Sequence, residues 1–194
     1  MSEPAGVLLA AGHGRRWTAA GGAPNKLLHR LPDGTPVVVA AARSLVSALP
    51  HSVAVVRRSD DTTAALLSQC GLRIVLVDDE QAGLGDNIAH GVNSTPATDG
   101  WVIALGDMPF IQPDSIAAVA DALRSGSPLA ATRHRGQRGH PVGFDASYGP
   151  ALGELRGDRG AAALLQRDAD RLQLIDVDDE GVLLDLDLPP QDPR

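Results

Sequence analysis

One cysteine, 3% aromatic residues and no long apolar run set the outer limits of this 194-residue chain. The single cysteine, Cys70, excludes an internal disulfide, and its position at the end of an apolar helical stretch suits a small buried side chain. No apolar stretch approaches the roughly 20 residues of a membrane-spanning helix. Nor does a basic region followed by a long apolar core open the chain, so a cytoplasmic protein is expected. Few aromatics, a net charge of −7 and a pI near 5.2 argue against a nucleic-acid surface, which needs a basic face or a stacking platform. The most informative absence is local. Between Pro4 and Pro32 there is no Asp or Glu, although the chain as a whole is acidic. Arg15, Arg16, Lys26 and Arg30 therefore form a positive island, a better signal of a site than net charge.

That island follows an apolar run, Val7 to Ala10, which reads as a buried strand delivering Ala11-Gly12-His13-Gly14-Arg15-Arg16-Trp17 as a loop of open backbone N–H groups and cations. Such a loop suits a polyphosphate. A P-loop is excluded because no Gly-Lys pair occurs, and a dinucleotide fingerprint is weakened because Trp17 stands where its third glycine would be. Further along, short apolar runs alternate with helical stretches. Strands are expected at Ser52 to Val56, Arg73 to Val77, Trp101 to Leu105 and Leu172 to Val177. Helices are expected at Val39 to Ala48, from the Asp60-Asp61-Thr62 cap to Cys70, from Asp86 to Val92, at Pro113 to Arg124, and around Ala151 and Ala161. Leu27 to Leu31 and Thr35 to Val38 read as a short hairpin about Pro32-Asp33-Gly34. Leu129 to Arg133 and Pro141 to Phe144 bracket a polar loop containing His134, Arg135, Arg138, Gly139 and His140, and an alternating tail runs from Val182 to Leu188. The pattern predicts one domain over residues 1–194: a three-layer α/β fold with a doubly wound, mostly parallel sheet.

In such a sheet ligands bind outside the carboxyl ends of the strands. That rule gathers the Gly12 loop, the Gly83 to Asn87 loop and Asp107 on one edge. Asp107 ends a buried strand, where a carboxylate either helps hold a hard dication with phosphate oxygens and water or satisfies the N–H groups of its own turn. The cationic loop on the same edge favours the dication. Asp185 and Asp187 alternate in the tail and so share a face; they supply a second carboxylate or the solvated side of an edge strand.

The order of motifs resembles the molybdenum cofactor cytidylyltransferases. The resemblance rests on Leu9-Ala10-Ala11-Gly12 with Arg16 and Lys26, Gly83-Leu84-Gly85-Asp86-Asn87-Ile88 with Gly91, and Leu105-Gly106-Asp107-Met108-Pro109. It continues through Gly139-His140-Pro141-Val142, Gly157-Asp158-Arg159-Gly160-Ala161 and Asp185-Leu186-Asp187, so it covers nearly the whole chain. It implies a Rossmann-like nucleotidyltransferase fold and transfer of CMP from CTP to the phosphate of Mo-molybdopterin, with release of pyrophosphate and use of Mg²⁺. Related enzymes that use GTP carry Gly-Gly where this chain has Ala10-Ala11, and the two methyls are expected to narrow the space at the base.

The resemblance implies these roles: Arg16 with the Gly12 and Gly14 amides on the β- and γ-phosphates, Lys26 on the α-phosphate, and Asp107 with Asp187 on the metal. Leu9, Ala10, Ala11, Gly85, Asp86 and Asn87 complete the nucleotide site. His140, Asp158 and Gly160 face the acceptor, Asp158 with Gly160 otherwise reading as a helix N-cap. No general base is required, since an acceptor phosphate is already ionised at neutral pH. A molybdoenzyme of the xanthine dehydrogenase type, or its maturation factor, is the implied recipient of the product. The departures are Trp17 where Met is common, the insert Gly21-Gly22-Ala23-Pro24 before Lys26, Gly85 and Asn87 at positions that are often serine, and Ala162 where the family usually has Arg. Two alternatives stay open: an NAD(P)H-dependent reductase of a heterocycle, which the incomplete Gly-x-Gly pattern allows, and a non-catalytic molybdopterin carrier, to which Ala162 points.

Overall fold

The computed structural model describes residues 3–12, 14–23, 25–78 and 83–187. Its strands are β1 (Ala5–Leu9), β2 (Ser52–Arg57), β3 (Arg73–Val77), β4 (Gly100–Leu105), β5 (Leu129–His134), β6 (Gln137–Asp145) and β7 (Leu172–Asp176). They form one sheet in the order β3-β2-β1-β4-β6-β5-β7, in which β6 alone runs antiparallel to its neighbours. Helices α2 (Val37–Ala48), α3 (Asp61–Gln69) and α5 (Pro113–Arg124) cover one face. On the other lie α4 (Leu84–Asn93), α6 (Gly149–Gly153) and α7 (Ala162–Arg167). The short α1 (Arg15–Ala19) and a 3-10 turn at Lys26–Leu28 stand in the connection from β1 to α2. This is the doubly wound, mostly parallel sheet expected from the alternation of apolar strands and helices, and the Rossmann-like fold that the motif resemblance implies.

β1 is the centre of the sheet and is buried along its whole length, as a parallel strand covered on both faces must be. Its alternation feeds two cores: Leu8 packs with α2, α3 and α5, whereas Val7 and Leu9 pack with α4 and the residues around α6 and α7. Asp60 caps α3 through its side chain, which accepts from Thr63 N at 3.0 Å, and Gly71 at φ 93 ends that helix in the left-handed conformation. Helix α4 lies close over β1: a Cβ at Gly91 would lie 2.4 Å from Val7 Cγ1. This approach sets α4 so that its first turn overhangs the carboxyl edge of β1.

Three expected elements differ. The residues from His134 to His140 are not a polar loop: β5 and β6 continue through them as a hairpin, and only Arg135 (φ 48) and Gly136 (φ 83) make the turn. Two consecutive positive φ values give the turn twist that antiparallel strands favour, so polar residues were carried into the ladder. The hairpin about Pro32-Asp33-Gly34 shrinks to one bridge, Arg30 to Pro36, because Val37 already begins α2. Among the described residues, which end at Asp187, the tail is no strand either. Asp179 accepts from Gly181 N, Ser115 Oγ and Gln112 N, folding Glu180–Leu183 into a 3-10 turn. The chain beyond it then reaches the sheet edge through Leu186 N, which donates to Asp107 O at 3.0 Å.

Replacing Gly91 by Ala forces α4 off β1. A loss of about 1–3 kcal/mol is expected from overpacking, read as a lower urea midpoint at unchanged slope; an unshifted midpoint would show that the helix can lift without cost.

Candidate active site

A cleft of about 860 Å³ opens along the carboxyl edge of β1 and β4. Leu9, Gly12, Gly14, Arg16 and Lys26 form one wall, Gly83, Leu84, Asp86, Asn87, Gly157 and Asp158 the opposite one, and Asp107, His140, Asp185 and Asp187 the remainder. The positive island and the carboxylates therefore meet in one place. Gly12 is exposed, and a Cβ there would touch nothing, so its peptide is open to a ligand. Gly14 takes φ 58, a conformation glycine adopts without cost, and turns the chain into α1 against the Lys26 stem.

At the centre is Lys26, the only lysine in the chain. Its Nζ donates to Asp107 Oδ2 at 2.5 Å and lies 3.6 Å from Asp187 Oδ1, with the side chain mostly buried. Arg16 pairs with the other oxygen of Asp187. Asn25 fixes this lysine: its Oδ1 accepts from Leu27 N at 3.0 Å, and its Nδ2 donates to Asp60 Oδ2 at 2.7 Å. The turn bearing Lys26 is thus fastened to the cap of α3. Sequence reasoning assigned Asn25 no role, although Asn bonding the backbone two residues on is a recognised turn signature.

Burial raises the Asp185 carboxyl above its ordinary value, and the charges of Asp187 and Asp107 add to that. Burial lowers His140, opposed by the charge of Asp107 and reinforced by Arg138. A neutral imidazole with its Nδ1 buried and without a hydrogen-bond partner among the described residues therefore faces the cleft. Among the described residues no three His, Cys, Asp or Glu side chains form a complete metal site. The oxygen set of Asp107 and Asp187, both already partnered by a cation, suits a hard dication that keeps water and takes phosphate oxygens, as Mg²⁺ does.

Several sequence-predicted residues stand away from the cleft. Ala10 and Ala11 are buried in opposite cores, and neither lines it, so their methyls do not narrow it directly. Gly85 faces the Arg156 and Gly157 carbonyls, where a Cβ would come within 3.0 Å. Gly160, at φ 54, packs over Leu84. Asp158 lines the cleft but caps no helix: the N-cap position of α7 is Ala161, with no side-chain cap. Asp86 reaches across to accept from Gly157 N at 2.9 Å, tying the loop before α7 to the first turn of α4. His13 lies outside the described residues.

A doubly wound sheet with an open-amide loop, a buried lysine and paired carboxylates at its carboxyl edge defines a nucleotide-binding α/β transferase. The chain belongs to the MobA-like NTP transferase domain family, whose profile matches residues 6–172. It is an enzyme, a nucleotidyltransferase. Among curated proteins it is 34% identical over 152 residues to the bifunctional protein GlmU of Roseobacter denitrificans, covering 77% of this chain and 30% of GlmU; the chain thus spans under a third of that relative. Among solved structures it is similar to Rv0371c of Mycobacterium tuberculosis, with 25% identity, a TM-score of 0.80 and coverage of 96% and 93%. A second structure of Rv0371c, described as a complex with manganese, superposes with a TM-score of 0.72 and 25% identity over 91% and 89% of the two chains. An Rv0371c homologue from Mycobacterium sp. strain JC1 gives 28% identity, a TM-score of 0.80 and coverage of 95% and 90%.

Asn25→Ala removes both anchors of the lysine turn. Stability is expected to fall by about 1–2 kcal/mol, and turnover more steeply than that loss explains. Urea unfolding alongside initial rates checks this, and full activity in the folded variant would show that Lys26 holds its place unaided.

Proposed function

We propose that the enzyme transfers CMP from CTP to the phosphate of a molybdopterin-type acceptor, in the cytoplasm and with Mg²⁺. The observation that carries this reading is the meeting of the Gly12 loop, Arg16, Lys26, Asp107 and Asp187 in one cleft. An acceptor phosphate oxygen bonds to the α-phosphorus of CTP as the bond from that phosphorus to the bridging oxygen of the β-phosphate breaks, and pyrophosphate leaves. In such a transfer the protein positions groups and stabilises charge. Arg16 and the Gly12 and Gly14 amides hold the β- and γ-phosphates, while Lys26 neutralises charge growing about the α-phosphate. Asp107 and Asp187 are the residues that would hold the metal, which neutralises phosphate charge when bound. That the similar protein Rv0371c is described as a complex with manganese supports the use of a dication, since manganese shares the preference of magnesium for carboxylate oxygen. The choice of CTP and of a molybdopterin-type acceptor rests on the motif resemblance. A xanthine dehydrogenase-type molybdoenzyme or its maturation factor is the proposed recipient.

CTP with Mg²⁺ at about 100 times its Kd is expected to add roughly 2.7 kcal/mol of stability, read as a thermal shift that weakens without the metal. A shift with NADPH alone, indifferent to Mg²⁺, would overturn the reading. Lys26→Ala is expected to lower kcat by about 10²–10³ while leaving nucleotide affinity less changed; a loss confined to KM would contradict a transition-state role. Asp107→Ala is expected to abolish metal-dependent turnover in a folded protein, and activity within about threefold of the parent would remove it as a ligand.

A further inference from the structure

The largest fully buried side chain among the described residues belongs to neither core of the sheet. It is Trp17, 1% exposed, in the five-residue helix α1. Taken alone, α1 has little to hold it. Five residues are too few for a helix to persist in water. Its N-cap is a glycine without a side-chain bond, and no acid stands in its first turn. It opens instead with two arginines, where the helix dipole disfavours cations. Arg16, Thr18 and Ala19 are exposed, so Trp17 alone is buried among the described side chains of the helix.

The indole is gripped from two sides. On one, the chain just after α1 folds back, with Gly22 N donating to Trp17 O at 3.0 Å. Its backbone lies so close that a Cβ at Gly22 would stand 2.2 Å from Nε1. On the other side, the ring of His29 packs at 5.1 Å between centroids, with 59° between the planes. His29 ends the Lys26–Leu28 turn, and its N donates to Lys26 O at 3.1 Å. At the start of α1, a Cβ at Gly14 would lie 3.5 Å from Lys26 Cγ, so the helix also abuts the lysine stem. Nε1 has no hydrogen-bond partner among the described residues, although a buried indole N–H usually finds one. What the ring supplies here is shape.

We infer that Trp17 is a positioning residue for the phosphate-facing cations: its indole fixes α1, and with it Arg16, relative to the turn that carries Lys26. The inference rests on the nucleotidyltransfer reading, in which Arg16 takes the β- and γ-phosphates and Lys26 the α-phosphate. Trp17 does not line the cleft, so its effect on a ligand passes through these two neighbours. A loop ordered before the ligand arrives gives up less conformational freedom on binding, and the ring therefore adds to affinity without touching a phosphate. Gly22 is part of the same device, because a side chain there would occupy the space of the indole.

The probe is pyrophosphate with Mg²⁺, titrated by calorimetry against the full chain and its variants, each checked for folding by circular dichroism and its urea midpoint. Trp17→Ala is expected to weaken binding about tenfold in the folded protein, since both cations must then be ordered as the ligand binds. Trp17→Phe keeps a ring between Gly22 and His29 and breaks no hydrogen bond, so it is expected to recover most of that loss. Gly22→Ala, a single methyl outside the cleft, is expected to weaken binding as Trp17→Ala does. An indole with a merely structural role would lower the urea midpoint of Trp17→Ala and leave the affinity of the folded protein unchanged. That result overturns the inference, as does unmoved affinity in Gly22→Ala should Trp17→Ala not fold. In Trp101→Phe, where Trp17 is the only tryptophan, its emission should be shielded from acrylamide as well without ligand as with it. Shielding that arises only with pyrophosphate would overturn the inference too. Failure of the parent itself to bind pyrophosphate would instead sink the nucleotidyltransfer reading, so the two failures are separable.

Discussion

The Lys26 ammonium, held between Asp107 and Asp187, is the interaction on which the site depends. Mostly buried carboxylates at 2.5 and 3.6 Å repel one another unless a cation lies among them, and burial makes that repulsion stronger than it would be in water. Beside the pair, burial raises the Asp185 carboxyl, and the charges of Asp187 and Asp107 add to it. Because removing one member of such a pair leaves an uncompensated charge, the loop before α2, the end of β4 and the tail beyond Val182 are held to one another electrostatically. Their sequence separation is bridged by this contact and by the bond from Leu186 N to Asp107 O.

The pairing also explains why the positive island and the acidic tail coexist. Without a polyphosphate, Arg16 and Lys26 are satisfied by Asp187 and Asp107, so the loop is not left as a cluster of unpaired cations. On the proposed reading, phosphate oxygens replace the carboxylates as partners of these cations, and the freed carboxylates match a dication arriving with the nucleotide. One set of charges then serves two states. A lysine suits this exchange better than an arginine, since a compact ammonium on a flexible stem can turn from one oxygen to another, whereas a planar fork is committed to a bidentate geometry. The chain has Arg at sixteen of its seventeen strongly basic positions and Lys at this one.

The features legible in the sequence are those fixed by local physics. Apolar runs bounded by turn residues gave β1, β2 and β4 because a strand buried on both faces has few polar positions to confuse the pattern. The strand-end placement of Asp107 followed from the same pattern. What stayed hidden depends on partners far along the chain. The β5–β6 ladder carries His134, Gln137 and Arg138, polar residues that period-two reading assigns to a loop until the positive φ values of Arg135 and Gly136 are known. The tail alternates as a strand does, but Asp179 captures its start through Ser115 and Gln112, residues more than sixty positions away. Ala10 and Ala11 sit within the loop motif, and nothing local reveals that their methyls point into opposite cores.

The sharing of His140 between a polar cleft and an apolar cavity has a consequence for how the site works. Charge that grows on a phosphorus centre is best stabilised where water is scarce and dipoles are fixed. The Leu9, Leu84 and Leu105 side chains line both cleft and cavity, so hydrocarbon of the protein itself borders that side of the cleft. Charges placed in the cleft are less screened beside such a wall than they would be in open water.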